Sequence, residues 1–267
     1  MSGEPPLVLR APAKLNLVLS VGPVRSDGYH RLSTLFQAID LYDELVLEPA
    51  AETTVEGFAA DTLVRAALDA LGETRRVLLT KRIPVAAGLG GGSSDAAAIL
   101  RGLRGERPVN DLYAIARRLG ADVPFFLSGC ETALGSGRGD HIHPLPDFPR
   151  GHAFVLLPQS EGLSTAEVFA RARASDIFPA LHGDLVRGVH IARDPSGVAA
   201  LVRNDLQPVV LGLRPELEHE LERLRGAGAL AAAVTGSGPT AFGVFADRAA
   251  AEAAAEAIPG AIAASPI

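Results

Sequence analysis

One segment constrains this chain more than any other. Pro84-Val-Ala-Ala-Gly-Leu-Gly-Gly-Gly-Ser-Ser-Asp-Ala-Ala-Ala98 is a glycine-rich turn that runs directly into an alanine-rich stretch. Gly88, Gly90, Gly91 and Gly92 lack a Cβ, so the backbone there can adopt unusual dihedrals and come close to a bulky ligand. Ser93, Ser94 and Asp95 are favourable helix-starting residues, and Ala96 to Leu103 reads as the helix itself. The first four N–H groups of such a helix have no internal partner, and the macrodipole makes that end electropositive. Loop and helix start together form a seat for phosphate groups, so a nucleotide is expected. Gly88, Leu89, Gly90, Gly91, Gly92, Ser93 and Ser94 are its candidate phosphate-binding residues. A flexible loop capping a structural helix is the plainer alternative, but it leaves four glycines and two serines within Gly88–Ser94 unexplained.

Spacing excludes two common glycine motifs. No Lys-Ser or Lys-Thr follows the glycines, as a P-loop requires, and no acidic residue ends a second strand about twenty residues on, as a dinucleotide fingerprint requires. The chain has 267 residues and a net charge of −6, which suits one large domain or two small lobes and argues against nucleic acid as the partner. There is no run of eighteen apolar residues and no basic-then-apolar leader pattern, so neither a membrane span nor a signal peptide is expected. The single cysteine, Cys130, rules out an internal disulfide framework and fits a reducing, cytoplasmic compartment. Of 25 basic residues only Lys14 and Lys81 are lysines. A lysine is a compact point charge suited to one phosphate oxygen or one carboxylate, where arginine is a broad fork. Lys81, near the end of a strand-like run, reads as a solvated side chain.

Leu15, Leu17, Leu19 and Val21 alternate with Asn16, Val18 and Ser20, the pattern of a half-buried strand that sends Lys14 and Asn16 to one face. Val77–Lys81 reads as a strand entering the glycine loop through Pro84. Asp111–Leu119 reads as a helix stopped by a left-handed Gly120. Asp122, two residues before Pro124, sits where a short helix should start, and an N-cap explains it as well as catalysis does. Thr235–Thr240 links strand-like Ala231–Val234 to Ala241–Phe245, either as a tight connection or as an active-site loop. Ser164-Thr-Ala-Glu167 matches a capping box, and Ala249–Ala264 reads as a terminal amphipathic helix. His141 and His143 flank Ile142 without further metal-ligand spacing. Three prolines in Pro144–Pro149 mark a boundary between residues 1–149 and 150–267.

Three segments together resemble the GHMP kinases, the family of galactose, homoserine, mevalonate and phosphomevalonate kinases. Ala11-Pro-Ala-Lys-Leu-Asn16 is similar to the first family motif, the glycine segment to the second, and Val234-Thr-Gly-Ser-Gly-Pro-Thr240 to the third, in the expected order. Ser26–Leu45, Leu119–Gly129 and Gly162–Phe169 narrow the resemblance to members whose substrate is a cytidine diphosphate conjugate of a methylerythritol. The resemblance implies a two-lobed α/β (α+β) fold with the active site in the cleft between lobes. Residues 1–149 would form the nucleotide lobe and 150–267 the substrate lobe. It implies transfer of the ATP γ-phosphoryl group to the 2-hydroxyl of that substrate, on the non-mevalonate route to isoprenoid precursors.

The resemblance also implies roles. Asp122 would be the general base, with Lys14 keeping its carboxylate ionised and contacting the transferred group. Mg²⁺ would bridge phosphate oxygens, through Ser93, Ser94 or water alone. Tyr29 would stack on the pyrimidine, His30 would hydrogen-bond its edge, and Asn16 and Phe169 would complete that pocket. Thr235, Gly236 and Ser237 would present backbone amides to the substrate diphosphate. Relatives carry an Asn-Leu pair near position 62, where this chain reads Asp61-Thr-Leu63, so the adenine contacts depart from the family pattern. A related kinase with another alcohol acceptor, and a binding protein without turnover, remain the alternatives; Asp27-Gly-Tyr-His30 and the retained Lys14 and Asp122 distinguish them.

Overall fold

The computed structural model describes residues 5–58, 62–174 and 182–267; Asp61 lies outside them. In chain order the elements are β1 (Leu7–Val24), β2 (His30–Pro49), β3 (Thr54–Glu56), α1 (Leu63–Leu71), β4 (Arg75–Thr80), α2 (Gly91–Gly102), α3 (Val109–Leu119), α4 (Val123–Ser128), β5 (Thr132–Gly137), β6 (His141–Pro144) and β7 (Ala153–Leu157). There follow α5 (Thr165–Ala174), α6 (His182–Ile191), α7 (Pro195–Leu201), β8 (Arg203–Asn204), α8 (Gln207–Leu213), α9 (Leu217–Gly226), β9 (Ala231–Val234), β10 (Ala241–Phe245), α10 (Arg248–Ala257) and β11 (Ile262–Ala264). The mixed α/β class expected from the sequence is what the chain adopts. Among the described residues no helix is long and apolar enough to cross a membrane.

Two compact units interleave along the chain. The first comprises residues 1–13, 41–85 and 90–129. In it β3 runs parallel to β4 with Val55 beside Val77, and β4 runs antiparallel to β2 with Leu79 beside Leu45. Val77 and Leu79 are buried while Arg76, Leu78 and Thr80 are exposed, as the period of two demands of a sheet covered on one side. Helix α2 packs against α1, α3 and α4. Its residues from Ser94 to Leu100 are all buried, which is why its sequence is apolar on every side rather than along one stripe.

The second unit comprises residues 14–40, 86–89 and 130–267. There β1 pairs in parallel with β8, β2 pairs antiparallel with β5, and β5 forms a hairpin with β6. A separate sheet has the order β11-β7-β10-β9, all antiparallel. Its two central strands, β7 and β10, are buried along their whole length and read as unbroken apolar runs. Leu221 and Leu224 of α9, Ala251 and Ala254 of α10, and Ile258 just beyond it join Val155, Leu157 and Phe245 in one core cluster.

Four local expectations need correction. Strand β1 is buried on both faces from Ala13 to Val21, not half-buried, so Lys14 and Asn16 are interior residues. Helix α2 begins at Gly91 rather than among the serines, because Gly90 takes the left-handed N-cap conformation, φ +74°. Gly120 is extended, with φ 171°, and α3 stops there without a left-handed turn. The terminal helix ends at Ala257; Pro259 cannot continue it, Gly260 turns the chain at φ +79°, and the remainder pairs with β7 as β11.

Candidate active site

In the second unit the candidate residues gather around Lys14. Its ammonium is buried and donates to Asn16 Oδ1 at 2.6 Å and to the Gly88 carbonyl at 2.9 Å. Its backbone N–H donates to the Leu89 carbonyl at 3.0 Å, so β1 holds the first half of the glycine loop at two points. A buried ammonium is costly unless such oxygens receive it. Asn16 Nδ2 donates to Thr34 Oγ1, which in turn donates to the Val18 carbonyl, and this chain fixes which way the amide faces. The Asn16 N–H donates to Thr235 Oγ1 at 2.9 Å, bringing the third motif onto the first.

Thr235–Thr240 closes the β9–β10 hairpin, and Gly238 N–H donates to the Thr235 carbonyl. Gly88 and Gly236 both have positive φ, +78° and +59°. A Cβ on Gly88 would stand 2.8 Å from the Thr235 carbonyl oxygen, and one on Gly236 would stand 3.2 Å from Asn16 Oδ1. The close approach of the two loops therefore requires glycine at both places. Thr165 and Ser237 share a hydroxyl–hydroxyl bond of 2.8 Å. Ser164 Oγ accepts from Glu167 N–H at 3.4 Å, whereas the Glu167 carboxylate takes Arg171, so half of the expected capping box forms.

The β1–β2 turn separates the two residues of the expected base clamp. Gly28, at φ +82°, and the bond from Gly28 N–H to the Arg25 carbonyl make the turn. Tyr29 then stands 56% exposed with the Arg138 guanidinium 5.1 Å from its ring centroid, while His30 is buried. His30 Nδ1 is 2.9 Å from the Gly22 carbonyl, and since a carbonyl only accepts, Nδ1 is the donor in that bond. The Phe169 ring lies 5.7 Å from that of His30. Asp140 holds Arg138 in place, accepting its N–H at 3.0 Å and Nη2 at 3.1 Å. Burial raises the Asp140 carboxyl, but these bonds outweigh it and leave its pKa below the usual value.

In the first unit, Gly90 to Ser94 form the start of α2, and Ser94 N–H already donates to the Gly90 carbonyl at 2.9 Å. The N–H groups of Gly91, Gly92 and Ser93 precede the first helical bond, which is the geometry of an anion seat. Ser94 Oγ is buried with no hydrogen-bond partner among the described residues. A Cβ on Gly120 would lie 3.6 Å from Ser93 Oγ, so the segment leading to Asp122 runs beside this helix start. Asp122 occupies the N-cap of α4, its carbonyl accepting Phe125 and Phe126 N–H, but its carboxylate makes no capping bond. Capping therefore does not account for the carboxylate.

Three groups escaped the sequence reading. Lys81 is no solvated side chain: it pairs with Asp43 at 2.5 Å and Asp95 at 2.7 Å, both carboxylates fully buried. Burial lowers its pKa, yet the two carboxylates more than offset this and hold it above the ordinary lysine value. Its rarity was the available signal, together with an aspartate inside an otherwise apolar helix. Asn204 is buried and donates from Nδ2 to the carbonyls of Val234 and Gly236, each at 2.7 Å, steadying the third motif. Nothing in its local sequence marks it. Arg138, in the β5–β6 turn, meets Tyr29 only through the fold.

Comparison with known proteins follows the same lines. Residues 55–130 match the model for the GHMP kinases N terminal domain, and 184–263 match GHMP kinases C terminal. The 4-diphosphocytidyl-2-C-methyl-D-erythritol kinase of Thermobifida fusca is 41% identical over 270 residues, covering 90% of this chain and 87% of the relative. A crystal structure of 4-(cytidine 5'-diphospho)-2C-methyl-D-erythritol kinase superimposes with a TM-score of 0.80 at 37% identity, covering 97% of this chain and 98% of the other. Homoserine kinase from Cytophaga hutchinsonii shares the fold, with a TM-score of 0.67 at 20% identity over 100% of this chain and 96% of the other.

Proposed function

The chain belongs to the GHMP kinases, in the branch of the 4-diphosphocytidyl-2-C-methyl-D-erythritol kinases, and on that premise we propose how its residues divide one phosphoryl transfer. The enzyme catalyses ATP-dependent phosphorylation of the 2-hydroxyl of 4-diphosphocytidyl-2-C-methyl-D-erythritol in isoprenoid precursor biosynthesis. The observation that carries the assignment of roles is the helix start at Gly90–Ser94, where the N–H groups of Gly91, Gly92 and Ser93 precede the first helical bond and the positive dipole end suits the ATP phosphates. Gly88 and Leu89 lead into it from the loop held by Lys14.

Asp122 accepts the proton of the 2-hydroxyl as the bond to phosphorus forms; its carboxylate, spared from capping, supports that role. Lys14 supplies a fixed positive charge for the transferred group, held in place by Asn16 and Gly88. Mg²⁺ fits the seat, because Ser93 and the buried Ser94 hydroxyl supply the hard oxygen donors it prefers. Held there by those hydroxyls, it would supply positive charge to offset the phosphates. Tyr29 offers a face to the cytosine ring, and His30 hydrogen-bonds its edge, with Phe169 beside it. Thr235, Gly236 and Ser237 direct the hairpin backbone at the diphosphate. The division of nucleotide and substrate work between residues 1–149 and 150–267, and a cytoplasmic location, belong to the same reading.

The deciding experiment measures ADP release from ATP and Mg²⁺ with the cytidylated substrate beside mevalonate, phosphomevalonate and homoserine. Turnover with the cytidylated substrate alone is expected. Turnover with another acceptor would keep the kinase and remove the base clamp.

A further inference from the structure

Both ends of the glycine loop meet one buried ion cluster. Asp43 of β2 accepts the N–H groups of Arg82 at 2.6 Å and Ile83 at 2.9 Å through Oδ1, fixing the two residues before Pro84. Through Oδ2 it accepts from Lys81, whose ammonium also donates to Asp95 in the second turn of α2. The first residue of that helix rests on the cluster: a Cβ on Gly91 would stand 3.1 Å from Lys81 Nζ and 3.3 Å from Asp43 Oδ2. A side chain at this place would press on the ion cluster, which would have to shift by a few tenths of an ångström to admit it.

The charge balance gives the cluster a consequence for anion binding. Two carboxylates and one ammonium lie beneath the helix end. Without Lys81 two fully buried carboxylates would share the site with no ammonium between them, an unfavourable arrangement. Relief would come from moving the start of α2, which is the seat itself. We propose that Lys81 is a positioning residue for ATP, clamping the start of α2 through Asp95 and the loop entrance through Asp43. This inference rests on the assignment of the ATP phosphates to Gly90–Ser94.

The test is steady-state kinetics with each substrate varied in turn, on variants whose folding is verified by circular dichroism melting. Lys81→Met and Asp95→Ala raise the KM for ATP by about tenfold or more and leave the KM for the cytidylated substrate within about twofold. Asp95→Asn, whose amide oxygen still accepts from Lys81, keeps most of the ATP affinity. Should Lys81→Met fail to fold, the two Asp95 variants decide, since both leave the Lys81–Asp43 pair in place. A folded Lys81→Met or Asp95→Ala with the wild-type KM for ATP overturns the proposal, and so does an equal rise in both KM values. Gly90→Ala probes the seat directly. If it leaves the KM for ATP unchanged, the phosphate assignment fails; if it raises that KM while Lys81→Met does not, only the positioning role falls.

Discussion

At single residues, Asp122 and Tyr29 offer the most direct tests of the proposed roles. An aspartate at a helix N-cap ordinarily spends its carboxylate on the backbone N–H groups of the first turn, but in α4 it does not. Asp122→Asn, close in shape, is expected to fold and to bind ATP while kcat falls by about 10²–10⁴-fold, the usual worth of a general base. Near-normal turnover in that variant would remove Asp122 from the chemistry. Tyr29 is exposed on a tight turn, with the Arg138 guanidinium over its ring. Stacking of a base on an aromatic ring contributes about 1–3 kcal/mol. Tyr29→Ala should therefore raise the KM for the cytidylated substrate by about tenfold and leave that for ATP unchanged. Parallel losses for both substrates would indicate general destabilisation instead.

At the scale of elements, the hairpin loop between β9 and β10 depends on a residue far away in sequence. Asn204, at the end of β8, spans two carbonyls of that loop with its amide group, and its own Oδ1 accepts from Leu206 N–H. Asn204→Ala leaves both carbonyls without their donor and should cost about 2 kcal/mol in urea unfolding. Asn204→Asp should be at least as damaging, because a carboxylate would face two carbonyl oxygens. If aspartate is tolerated as well as asparagine, the amide is not what holds the loop. Loss of kcat/KM for the cytidylated substrate beyond the unfolded fraction would connect the loop to binding.

At the scale of the whole molecule, stability should depend on pH through a histidine the chemistry does not use. His152 is buried beside Phe148 and Phe154, and neither ring nitrogen has a hydrogen-bond partner among the described residues. Burial pushes its pKa down from 6.5 to about 4. The unfolded chain therefore binds more protons between these values, so stability is full above about pH 6.5 and falls as the pH drops toward 4, by about 3 kcal/mol in all. Replacing His152 by Leu should shrink the difference in unfolding free energy between pH 7 and pH 5 by about 2 kcal/mol. An unchanged difference would place the pH dependence elsewhere. What the chain announces by itself is local: the glycine loop and its helix, the mixed α/β content and the placing of Lys14 and Asn16 on one strand face all follow from steric freedom, propensity and periodicity. Even the helix start was legible only to within a few residues, because Gly90 rather than a serine makes the left-handed cap. The ion cluster of Asp43, Lys81 and Asp95, the grip of Asn204 on the third motif and the ring of Tyr29 under Arg138 were decided by the tertiary structure. Each joins residues distant in sequence, and a side chain's periodicity tells which face it takes but not which partner waits there.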